Sequence, residues 1–168
     1  MEFDKVVKER FSTRGFQQKP VEKEKLEQIL EMGRLAPTAK NVQPQKIYVL
    51  QGEDAINKIN EASPCIYGAK TVLLICSNKE EAFHKGDYST YEMDATIVAT
   101  HMILAAANIG VDSVWVEMFD NQKVKELFDL SDEIEPICLI PLGYHREDIS
   151  PSQNHYSRKP LEETVIYL

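Results

Sequence analysis

The stretch STYEMDATIVATHMILAAANIG, residues 89–110, decides how this chain must fold. Ser89 and Glu92 stand at the Ser-x-x-Glu spacing of a capping box, in which each side chain satisfies an orphan amide at a helix start. Gly110 stands where a left-handed C-terminal cap belongs. Between residues 95 and 107 the only ionisable side chain is His101. A helix without a polar face has no solvent side and must be packed all round. Its apolar run falls short of the roughly 20 residues that cross a bilayer. Cover can come from the rest of the same chain, as in the core of a monomer. In a chain of only 168 residues we expect a second subunit to supply part of it.

Outward from that helix, the bulk numbers describe an ordinary globular chain. Hydrophobic residues make up 43% and charged ones 27%, and the length suits one domain over residues 1–168. The net charge of −8 argues against a nucleic-acid partner, whose recognition rests on clustered Lys and Arg. An anionic ligand would need a local basic pocket. The charged N-terminal residues read as neither a secretory signal nor a membrane anchor. Cys65, Cys76 and Cys138 form no Cys-x-x-Cys, and two lie in apolar strand-like runs. Buried free thiols of that kind predict a reducing, cytoplasmic setting and no zinc.

Before the central helix, apolar spacing predicts a short helix over residues 3–10. A second helix follows Pro20, with Leu26, Ile29, Leu30 and Gly33 on one face. LAPTAKNVQPQ (35–45) reads as a loop, KIYVL (46–50) as a strand, residues 53–62 as a helix and TVLLIC (71–76) as a buried strand. Twelve mostly polar residues, 77–88, lead to the central helix. After it come a strand SVWV (113–116), a helix capped by Asp120, and the apolar run PICLIPL (136–142). Two prolines make that run an expected edge or irregular strand. Residues 143–159 read as irregular, and TVIYL (164–168) as a strand-like tail that must pair at home or on a partner. Strands and helices mixed in this way predict an α+β or α/β fold.

Several chemistries are excluded by pattern. The closest glycines, Gly52 and Gly68, are too far apart for a phosphate-cradling loop. No Ser sits in a G-x-S-x-G elbow, and the four histidines lack metal spacing. What remains is a scattered polar set. Arg10, Ser12 and Arg14 offer two guanidinium forks and a hydroxyl, suited to a phosphate plus a second acceptor, although alone they read first as a solvated helix end. Asn41 and Gln43, in a proline-bounded loop, could read the edge of a flat heterocycle. Arg158 and Glu117 alone read as a surface arginine and a turn cap.

Together these pieces resemble the nitroreductase family of flavoproteins. The resemblance runs through ERFSTR (9–14), APTAKNVQP (36–44), DATIVATHMILAAANIGVDSVWVE (94–117), PLGY (141–144) and SRKP (157–160), in order and spacing. It implies an α+β fold, a mainly antiparallel central sheet flanked by helices. It also implies an intertwined homodimer with the long apolar helix in the dimer core and the tail crossing to the partner. FMN is the implied cofactor, with NADH or NADPH as electron donor and a small acceptor such as a nitroaromatic or quinone; neither metal nor membrane is expected. By position, Arg10, Ser12 and Arg158 would hold the FMN phosphate, and Arg14 would face the pyrimidine side. Pro37, Thr38, Ala39 and Asn41 would come from the other subunit, and Glu117 and Met118 would form the turn over the flavin N5. No side chain need be a catalytic acid, base or nucleophile, since the chemistry belongs to the flavin.

Three departures from the family pattern stand out. Met118 occupies a position that is often Gly, Gln45 one that is often aromatic, and residues 77–88 leave no room for a helical excursion found in larger members. Nothing in CIYGAK (65–70) matches the Asn and Lys that other members place near the pyrimidine. The alternative reading is a flavin-binding dimer that serves as a sensor or store without turning over NAD(P)H.

Overall fold

The computed structural model describes residues 2–168. Helices α1 (Phe3–Glu9) and α2 (Lys23–Arg34) precede strand β1 (Gln45–Gln51) and helix α3 (Glu53–Ala62). Strand β2 (Thr71–Asn78) leads through a hairpin of β3 (His84–Lys85) and β4 (Tyr88–Ser89) to helix α4 (Tyr91–Asn108). Then follow β5 (Asp112–Ser113), α5 (Asn121–Leu127), β6 (Ile134–Gly143) and the single turn α6 (Gln153–Tyr156). The main sheet has the order β1-β2-β6-β5 with every pair antiparallel. This is the expected α+β architecture.

The sheet works because β2 is apolar on both sides. Successive strand residues face opposite ways, so Leu73 and Ile75 pack with Leu26 and Ile29 of α2 and Val98 and Met102 of α4. Val72, Leu74 and Cys76 pack on the other face with Ile56 and Ile59 of α3 and Val124 of α5. Helices on both faces explain why TVLLIC is an unbroken apolar run rather than an alternating one. Burial pushes the Cys76 thiol up to about 12 and raises that of Cys138 as well, so both remain protonated packing groups.

Four sequence expectations change. The capping box of Ser89 and Glu92 does not form: the cap residue is Thr90, whose hydroxyl donates to Asp94 at 2.7 Å, and the Ser89 hydroxyl is buried without a partner. The SVWV strand shrinks to β5 plus one bridge between Val116 and Leu139. The proline-bearing β6 is the irregular strand and not the edge one: it is central, between β2 and β5, and its register with β2 shifts between Ile75 and Cys76. The carbonyls of Pro136 and Pro141 accept from the Asn121 side chain and the Val114 amide, on the side away from β2. A residue's amide and carbonyl leave a strand on the same side, so the missing N–H groups fall where pairing is short and ragged. Finally, residues 164–168 form no strand and lie exposed, Ile166 at 82% and Tyr167 at 88%. Asp120 does cap α5, accepting from the Lys123 amide, and Gly110 is left-handed at φ +73°.

Helix α4 is not surrounded by its own chain. Ala95, Val98, Ala99, Met102 and Ala106 are buried, whereas Met93, Thr96 and Thr100 on the opposite face are exposed, with Ile97, Leu104 and Ala107 half-buried between them. On the inner face α2 approaches through Gly33, where an added Cβ would lie 2.1 Å from Met102 Cε and 2.7 Å from its Cγ. Gly33→Ala gains about 1 kcal/mol of helix propensity but overpacks a buried contact, a cost of about 1–3 kcal/mol. We expect a net loss of about 1 kcal/mol in urea unfolding with an unchanged m-value. A variant as stable as the parent would show that Met102 has room to swing aside.

Candidate functional site

The segment after α1 is extended rather than coiled. Ser12 bridges Ser113 in parallel, Phe16 bridges His145, the Thr13 amide donates to Ser113 and the Gln17 amide to Tyr144. Residues two apart in extended backbone share a face, so Thr13 and Gly15 turn inward while Arg10, Ser12 and Arg14 remain accessible. Gly15 lets the later chain close on this arm, since a Cβ there would come 2.6 Å from Ile149 Cδ1. That contact precedes α6, whose carbonyls hold the last arginine: Arg158 Nη1 donates to Asn154 O at 3.2 Å and to Ser157 O at 2.6 Å.

The outcome is a cavity of about 330 Å³ lined by Arg10, Ser12, Arg14, Asn154, His155 and Arg158, together with Phe11 and Ser152. Three guanidinium groups meet there and no carboxylate lines it, in a chain of net charge −8. Arg10 is half-buried, and its Nε has no hydrogen-bond partner. Its pKa falls, first because burial strips water from the guanidinium and second because Arg158 repels it. A buried, unpaired donor on a cation beside another cation is costly unless an anion joins it. The cavity therefore suits a phosphate-sized anion.

The other expected residues stand elsewhere in the single chain. Pro37, Thr38, Ala39 and Asn41 belong to a tight loop in which Lys40, Asn41 and Gln43 all take left-handed backbone, φ +49°, +57° and +53°. Such angles are strained for residues with a side chain and persist only where surroundings enforce them. Thr38 Oγ1 accepts from the Gln43 amide at 3.0 Å, and the Ala39 amide donates to Asp94 Oδ1 at 2.8 Å. Asp94 is thus the anchor between this loop and the start of α4, a role not read from the sequence. Its signal was there: a carboxylate immediately before an apolar run.

Glu117 and Met118 follow β5. Glu117 accepts from Trp115 Nε1 at 2.8 Å and lines a second cavity, of about 380 Å³, with Glu92 and Thr96. The Met118 carbonyl accepts from Ser63 Oγ at 2.7 Å while its side chain is 67% exposed. One chain therefore unites Arg10, Ser12, Arg14 and Arg158, and leaves residues 37–41 and the 117–118 turn apart from them. Ser152, Asn154 and His155 were not anticipated, because their irregular segment carries no periodic signal. Among the described residues no group of three or more His, Cys, Asp or Glu could hold a metal, and no helix is long and apolar enough to cross a membrane.

Known proteins share this fold. A crystal structure of a nitroreductase family protein from Clostridium difficile 630 is 38% identical, with TM-score 0.92 over 99% of this chain and 98% of that one. The NADH dehydrogenase of Thermus thermophilus is 25% identical over 192 residues, which cover 94% of this chain and 92% of its own. A structure from Exiguobacterium sibiricum in complex with FMN shares the fold at 18% identity, with TM-score 0.88 over all of this chain and 98% of its own. The model of the nitroreductase family matches residues 7–65 and 61–144. On these grounds the chain belongs to the nitroreductase family.

Proposed function

We propose that this protein is an FMN-dependent oxidoreductase that passes electrons from NADH or NADPH to a small acceptor such as a nitroaromatic or quinone. In this reading, residues 1–168 form one FMN-binding domain that works as a homodimer. The observation that carries it is the arginine cavity, with the buried unpartnered Nε of Arg10 beside Arg158. When bound, FMN supplies the redox chemistry, exchanging electrons with a nicotinamide and with a second substrate.

The chain's residues then have the following tasks. Arg10, Ser12 and Arg158 bind the phosphate through charge-assisted hydrogen bonds. Arg14 holds the pyrimidine edge. Pro37, Thr38, Ala39 and Asn41 line the flavin of the other subunit, on a loop made rigid by Asp94. The backbone at Glu117 and Met118 borders the reacting edge, and the exposed Met118 side chain limits the size of the acceptor. The short β3–β4 hairpin, in place of a longer helical excursion, leaves that side of the site open.

The test uses the purified protein with FMN, followed by anaerobic NADH or NADPH. We expect flavin binding at one per subunit, loss of the oxidised flavin spectrum on adding nicotinamide, and its return with a quinone. A protein that holds FMN but leaves it oxidised under excess NADH and NADPH would be the sensor or store. One that does not bind FMN would overturn the reading.

A further inference from the structure

Helix α3 ends at Ser63, with Pro64 directly after it. A residue before proline is driven out of helical backbone, and Ser63 is extended at φ −144°, ψ 126°. Its amide still donates to Ile59 O at 2.9 Å, so the hydroxyl is left to serve another part of the chain. Ser63 is 1% exposed, which keeps that hydroxyl from water. It accepts from the Cys65 amide at 3.2 Å and lies 2.7 Å from the Met118 carbonyl. A carbonyl can only accept, so the hydroxyl hydrogen points at Met118 O.

The segment it meets is tied at both ends and tightly turned between them. Val116 bridges Leu139, and the Asp120 amide donates to Ala62 O at 2.9 Å while its carboxylate caps α5. Within the turn the Phe119 amide donates to Glu117 O at 3.1 Å. Two peptides are thus held in series. Ser63 holds the peptide of Met118 and Phe119 by its carbonyl, and the N–H of that peptide holds the carbonyl of the one before. At the end of the series is the Met118 amide, from which no described residue accepts. A peptide is planar with its N–H and C=O opposed, so fixing the Glu117 carbonyl fixes where the Met118 N–H points.

We propose that Ser63 is a positioning residue, which sets the turn of residues 117–119 so that the Met118 amide donates to N5 of FMN. This rests on the functional reading above, in which that turn borders the reacting edge. N5 accepts a hydrogen bond in oxidised flavin and carries a hydrogen in reduced flavin, so a fixed donor there favours the oxidised form. Loosening the donor should raise the midpoint and weaken binding of oxidised FMN by the same factor.

The test compares Ser63→Ala with Met118→Pro, which removes the amide hydrogen itself. Met118 has a negative φ, as proline requires. Amide hydrogen exchange of the full chain before FMN is added reads the turn directly. In Ser63→Ala the Phe119 amide should exchange about fivefold faster, the net worth of one hydrogen bond. A dye-coupled redox titration of the FMN-loaded variant should show about a threefold gain in preference for reduced FMN, or roughly 15 mV upward. Fluorescence titration should show oxidised FMN bound about threefold more weakly. Met118→Pro should gain about tenfold, or roughly 30 mV. The double variant should match Met118→Pro alone, since Ser63 acts through that amide.

If Met118→Pro raises the midpoint and Ser63→Ala leaves it unmoved, the positioning role is overturned and the placement of the turn stands, even where FMN binds more weakly. Unchanged exchange at Phe119 in Ser63→Ala, or a double variant whose shift is the sum of the two singles, likewise overturns it. If neither single variant moves the midpoint while FMN still binds, the turn does not border N5, and this inference falls with that placement. A parent protein that binds no FMN overturns the functional reading itself.

Discussion

Arg10→Gln is expected to weaken FMN binding about a hundredfold, with the reduction potential of the bound flavin nearly unchanged. A hydrogen bond to a charged group contributes about 1.5–3 kcal/mol, or about 10- to 150-fold in affinity. Arg10 belongs near the upper end. It is half-buried, so water and salt screen it poorly, and its Nε has no other partner to fall back on. Arg158 is exposed and already bonded to two backbone carbonyls, so Arg158→Ala should cost only about tenfold. The phosphate carries the same charge in oxidised and reduced flavin, which is why neither change should move the potential. Fluorescence titration of FMN into the flavin-free variants gives the affinities. If Arg10→Gln binds FMN as tightly as the parent, the phosphate does not enter the arginine cavity.

That cavity also shows how far the sequence could be read. Arg10, Ser12 and Arg14 were visible as a cluster, but at the end of a helix they would spread around its axis. Only the bridges to Ser113 and His145, far along the chain, extend the arm and keep the three together. The elements of the fold were legible where periodicity was strong: α2, α3, β1 and β2 lie within a residue or two of their expected bounds. Where tertiary contacts decide, local signals misled. Thr90 rather than Ser89 begins α4 because Asp94, not Glu92, receives its hydroxyl and must also hold the loop at Ala39. The prolines of β6 suggested an edge or an irregular strand; the irregularity is there, in the register shift opposite Ile75 and Cys76, but the sequence cannot show which side of a strand lacks neighbours.

Thr100→Glu should break the proposed dimer and release its flavin while leaving each chain folded. Thr100 lies at the centre of the outward face of α4, with Met93, Thr96, Ile97, Leu104 and Ala107 around it. It is exposed in the single chain, where its hydroxyl only donates to the Thr96 carbonyl at 2.8 Å. Glutamate is a good helix former, so the monomer loses little. In a two-fold interface the same patch meets itself, and each new carboxylate would be buried facing its copy. An unpaired buried charge costs about 3–5 kcal/mol, which weakens association by a factor of hundreds to thousands. Flavin should leave with the partner, because in one chain the loop of residues 37–41 does not line the arginine cavity. Light scattering across a dilution series, with flavin absorbance of the same samples, measures both effects, and Lys58→Glu on the exposed side of α3 is the control. A Thr100→Glu protein that stays dimeric and yellow would place the subunit contact elsewhere than on the outer face of α4.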